Sequence, residues 1–100
     1  MNLRDVIENL SKYTDTLAIY AAPRWEPSSR ALVVAEPDDG SLPRTASGLT
    51  YFMEVSQARE VADVWRRCRP GVEPSANDLC EAMLYYARHD AHEPVFEDAV

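Results

Sequence analysis

The run Ala31-Leu32-Val33-Val34-Ala35 constrains this chain more than any other stretch. Five apolar residues, two of them β-branched, stop at Glu36-Pro37-Asp38-Asp39-Gly40, where the residue types favour a turn and the charges resist burial. A strand with one wet face alternates apolar with polar residues, and this one does not. It reads as covered on both faces, hence as the central strand of a small sheet with helices nearby.

The segments on either side supply the rest of a fold. From Asn2, the spacing of Leu3, Val6, Ile7 and Leu10 makes one apolar stripe of a helix, with Asn2 as its cap and Asp5 favourable in its first turn. Thr16 to Ala21 reads as a strand with Leu17 and Ile19 on one face and Ala18 and Tyr20 on the other. Pro23 and Pro27 mark Ala22 to Ser29 as a loop, and Glu36 to Gly48 is a long connection of the kind that carries either an excursion or a binding element. Leu49 to Val55 is the third strand, with Leu49, Tyr51, Met53 and Val55 expected on one face.

Ser56 offers a cap to a helix in which Ala58, Val61, Val64, Trp65 and Cys68 recur at helical spacing, ending at Pro70-Gly71. Ser75 and Asp78 have the form of a capping box for a last helix. Leu79, Cys80, Met83, Leu84, Tyr86 and Ala87 form its apolar face, and Asp78, Glu81, Tyr85 and Arg88 lie opposite. The expectation is an α+β fold: a three-stranded antiparallel meander with one N-terminal and two C-terminal helices packed on it. A single domain over residues 1–93 and a loosely ordered tail over 94–100 complete it.

With 100 residues, the chain buries roughly 60–70% of its unfolded surface, enough for a core without staples. No apolar run nears the roughly 20 residues that span a bilayer, and Arg4, Asp5 and Glu8 interrupt any signal peptide, so the cytoplasm is the expected compartment. Cys68 and Cys80 are too few for a disulfide framework or a zinc site. The net charge of −7 is uneven: residues 1–69 hold ten acids and nine bases, whereas residues 70–100 hold seven acids and only Arg88. Nucleic acid and anionic membrane, which reward clustered Lys and Arg, are poor partners for such a chain; a basic protein surface suits it.

Candidate chemistry is sparse. His89 and His92 sit three apart beside Asp90 and Glu93, without the separated second pair of ligands that a metal site needs, so a polar helix end is the simpler reading and no metal or cofactor is expected. If the last helix continues that far, Asp90 falls on its inward face and must find hydrogen-bond donors, or serve in a pocket as a general base. The cysteines read as small buried hydrophobes. The serines have no nucleophile-elbow context. Trp25 stands in the loop Arg24-Trp25-Glu26-Pro27, either as a lid on the core or as an anchor for a partner. Arg66, Arg67 and Arg69 are explained by a helix C-terminus.

Leu49 to Val55 with the helix after it, and the stretch Ala82-Met83-Leu84-Tyr85-Tyr86-Ala87-Arg88-His89-Asp90-Ala91, resemble a family of small bacterial proteins of unassigned function. Its members look like single domains of this length, with an opening helix similar to Leu3-Arg4-Asp5-Val6-Ile7-Glu8 and a double-tyrosine helix ending in His-Asp-Ala. The resemblance implies no catalytic residues, and leaves Ala22 to Ser29 and the tail unmatched. In size and charge alone, the chain also looks like an immunity protein that plugs the basic active site of a toxin.

The function expected is therefore a non-enzymatic, acidic interaction module for a basic protein partner, with Asp78, Glu81, Tyr85, Glu36, Asp38, Asp39 and Trp25 as contact residues. The alternative is a small ligand-binding protein or enzyme with a pocket near Tyr86, His89 and Asp90. A homodimer with no other partner is the third reading.

Overall fold

The computed structural model of the chain describes residues 1–35, 37 and 48–89. The expectations resting on Glu36, Asp38, Asp39, Asp90, His92 and the tail lie outside the described residues. Helix α1 (Leu3–Glu8) is followed by a single 3₁₀ turn at Leu10–Lys12, strands β1 (Leu17–Ala21), β2 (Ala31–Ala35) and β3 (Thr50–Glu54), and helices α2 (Val55–Cys68) and α3 (Ala76–His89).

The α+β class, the three antiparallel strands and the flanking helices follow the sequence reading; the strand order does not. The sheet runs β2-β1-β3, so Leu17–Ala21 is its centre and the apolar run Ala31–Ala35 is an edge strand. The meander order, with the second strand in the middle, is thereby corrected. A continuous apolar run reports that both faces of a strand are covered, and here they are covered in part: Ala31 is buried and Val33 half-buried in the cluster under the helices, Leu32 and Val34 are half-buried against a second cluster of Ala18, Tyr20 and Leu49 on the far face, and Ala35 is exposed. It carries no information about neighbours in the hydrogen-bonding direction. One end of β2's outer edge is closed by the N-terminus, where the Ala31 amide donates to the Met1 carbonyl at 3.0 Å.

The β1–β2 pairing is regular, from Leu17 opposite Ala35 to Ala21 opposite Ala31. The β1–β3 pairing is not. Ile19 faces Met53 while the next residue, Tyr20, faces Tyr51, so β3 spends one extra residue, Phe52, on a β-bulge. Phe52 and Met53, adjacent in sequence, both enter the core beneath the helices, whereas Tyr51 stands on the far face with its ring edge-on to Tyr20 at 5.9 Å. The expected common face of Leu49, Tyr51, Met53 and Val55 is thus divided. Leu49 and Tyr51 lie on one side and Met53 on the other, and Val55 already belongs to α2.

Helix α1 covers β2, α2 covers β1 and β3, and α3 packs against both helices. Leu3, Val6, Ile7 and Leu10 are buried as their spacing requires. Asn2 and Asp5 exchange bonds of 2.8 and 3.0 Å in a reciprocal cap. Helix α2 starts one residue before Ser56: Glu54 is its N-cap residue, with its amide donating to the Gln57 side chain at 3.2 Å. Ser75 and Asp78 close α3 in the expected capping box, at 3.0 and 3.1 Å. Gly71, at φ +81°, makes the turn that ends α2.

Candidate functional site

Two surfaces gather the residues that the sequence nominates, one on each side of α3. Because α3 rests on α1 and α2, its outer side faces solvent. Asp78, Glu81, Arg88 and His89 are exposed there, and Tyr85 is half-buried. One Asp78 oxygen accepts the Ser75 amide, so this carboxylate both begins the helix and remains at the surface. One turn further on, Glu81 opens a shallow hollow of about 310 Å³ that Leu84, Tyr85, Arg88 and His89 complete. The Tyr85 and His89 rings stack at 4.2 Å and 36°, which stiffens the aromatic side chain beside the acids.

The second surface is built around Trp25. Its loop is held at three points: the indole N–H donates to the Thr50 hydroxyl at 3.1 Å, the Arg88 guanidinium donates to the Trp25 carbonyl, and the ring meets Phe52 edge-to-face at 5.1 Å. Downstream of Trp25 the loop is pinned to α1, through Leu3 amide to Ser29 carbonyl at 2.8 Å and Arg4 amide to Pro27 carbonyl at 3.0 Å. Arg24 sits at φ +59°, a conformation that costs a residue with a Cβ about 1 kcal/mol and persists here because the loop is over-determined. Trp25 therefore does cap the core, as a lid would. It is also one wall of a hollow of about 300 Å³, together with Tyr51, Phe52, Met53, Gln57, Tyr86 and Ala87.

The pocket joining Tyr86 with His89 is not formed by the described residues: Tyr86 lines the Trp25 hollow and His89 the hollow on the outer side of α3. Among the described residues no three His, Cys, Asp or Glu side chains gather into a metal-binding group. Cys68 and Cys80 are both reduced thiols. Burial, helped by the Glu81 carboxylate and opposed by Arg4, pushes the Cys80 thiol from its ordinary 9.0 up to about 11, so it is protonated and a poor nucleophile at neutral pH. No helix among the described residues is long and apolar enough to cross a membrane.

A family model described as a domain of unknown function (DUF7716) matches residues 1–94. The chain belongs to that family. No curated protein and no solved structure matches it. The DUF7716 match spans α1, the whole sheet, α2 and α3, so both surfaces of α3 lie inside the family's domain.

Three structural residues escaped the sequence reading. Arg59 crosses from α2 to pair with the Asp15 carboxylate and to donate to the carbonyls of Leu10 and Tyr13, yet in sequence it is one more polar residue on a helix. Arg88 was visible as a surface residue, but its bond to a carbonyl 63 positions earlier was not. Phe52 had no signal, since nothing local announces a bulge.

Proposed function

We propose that this DUF7716 protein is a non-enzymatic interaction module of the cytoplasm that binds a basic protein partner through the outer side of α3, in the manner of an immunity-type inhibitor of a toxin. The observation that carries the reading is the arrangement of Asp78, Glu81 and Tyr85 on the exposed side of a helix fixed by its own capping box, with the Tyr85 ring stacked on His89. A stiff aromatic ring loses little entropy on contact, and carboxylates beside it draw in and orient a cationic surface. In the described part of the last third, Glu73, Asp78 and Glu81 stand against Arg88 alone. The overall charge of −7 disfavours nucleic acid and anionic membrane as partners.

The test is to capture the partner from the source cells on immobilised protein, purify it, and measure its affinity for the parent, for Asp78→Lys/Glu81→Lys and for Tyr85→Ala. A basic partner that loses about tenfold or more in affinity to the charge-reversed variant supports the reading. Equal affinity for parent and variant removes this surface.

A further inference from the structure

The hollow beside Trp25 differs in kind from the others. Trp25, Phe52 and Tyr86, three of the chain's nine aromatic residues, line it with Met53, Gln57 and Ala87, the Tyr51 position borders it at the strand edge, and none of its described wall residues is charged. The hollows along α2 and on the outer side of α3 each include Asp, Glu or Arg. At about 300 Å³ the space is at the small end for ligand sites and suits a single side chain.

The geometry points to an aromatic cradle for one arginine side chain of a basic protein partner. Ring faces are electron-rich and attract a guanidinium, which stacks on them as a planar ion and sheds its hydration more readily than an ammonium. Charge selects the same occupant: the chain carries −7, so a cationic segment is drawn toward it and a second copy is repelled. Arg88 is engaged on the Trp25 carbonyl, which holds the loop that carries the indole, and is not itself a wall residue. The inference rests on the proposal of a basic partner and places a second contact, on the other side of α3 from Tyr85.

The test needs no partner and so is independent of the α3 surface. N-butylguanidinium and its neutral isostere N-butylurea are titrated into the protein while the two indole N–H signals are followed by NMR. Trp65, which lies under the Arg69 guanidinium at 4.5 Å, serves as the internal control. The expected result is a saturable shift of the Trp25 signal by butylguanidinium, binding by butylurea at least about threefold weaker, and weaker guanidinium binding by Tyr86→Leu. The same titration of Asp78→Lys/Glu81→Lys should keep the Trp25 shift, which separates the two surfaces. Equal binding of the urea, no saturable shift at Trp25, or parent-like binding by Tyr86→Leu would overturn the inference.

Discussion

The Trp25 indole N–H donates to the Thr50 hydroxyl at 3.1 Å, and that hydroxyl donates in turn to the Ala21 carbonyl at 3.2 Å. One threonine thus joins a loop to the central strand by way of an edge strand. Thr50→Val keeps the shape and removes the relay. It should cost about 1 kcal/mol in urea unfolding and shift the Trp25 indole signal, because the N–H loses its acceptor. An unchanged indole signal would show that the loop does not depend on this bond.

Arg59 offers a second long-range tie that is separable into parts. Its pairing with Asp15, whose side chain is 62% exposed, is worth little alone, whereas its bonds to the Leu10 and Tyr13 carbonyls hold the 3₁₀ turn onto α2. Arg59→Ala is expected to destabilise by about 1–3 kcal/mol, and Asp15→Asn by less than about 1 kcal/mol. Lysine cannot reproduce the fork, so Arg59→Lys should recover only part of the loss. Chemical denaturation of the three variants decides it.

The bulge makes neighbours in sequence unequal in the fold. Phe52→Ala should cost about 3–5 kcal/mol, because Phe52 is buried under the helices against Trp25, and Tyr51→Ala about 1 kcal/mol or less, because Tyr51 stands half-exposed on the far face. A regularly alternating β3 would place Tyr51 with Met53 and make Tyr51 the costly residue of the two.

Much of the local structure could be read from residue types. The α1 stripe and the caps at Asn2 and Ser75 depend on side chains within four positions of one another, and the sequence contains both partners. The faces of β1 followed in the same way. The centre of the sheet did not, because pairing β3 with β1 is settled by how a distant segment returns, and the apolar run of β2 is accommodated at an edge with both faces half-covered. The candidate surfaces divide along the same line. Asp78, Glu81 and Tyr85 share a helix face by spacing alone, whereas the meeting of Trp25, Phe52 and Tyr86 needs a bulge, a loop with a positive φ and a helix end to converge.

Cys80 predicts a pH dependence with a definite sign. Its folded-state thiol titrates near 11 against 9.0 when unperturbed, so the stability it contributes is fully present below about pH 9 and is lost as pH rises toward 11. Unfolding free energy should fall across that window by an amount on the order of 2 kcal/mol, and Cys80→Ala should flatten the fall. Thiol-reactive dye at pH 8 should label Cys80 only on unfolding. A slope unchanged in the alanine variant would assign the titration to another group.

Stopped-flow association with the purified basic partner, measured from low to high salt for the parent and for Asp78→Lys/Glu81→Lys, tests the interaction reading most directly. The parent's association rate should fall steeply with ionic strength, by tenfold or more between about 20 mM and about 500 mM salt, and the charge-reversed variant should start slow and lose most of that dependence. A parent rate indifferent to salt, or a variant that matches the parent at every ionic strength, would contradict it.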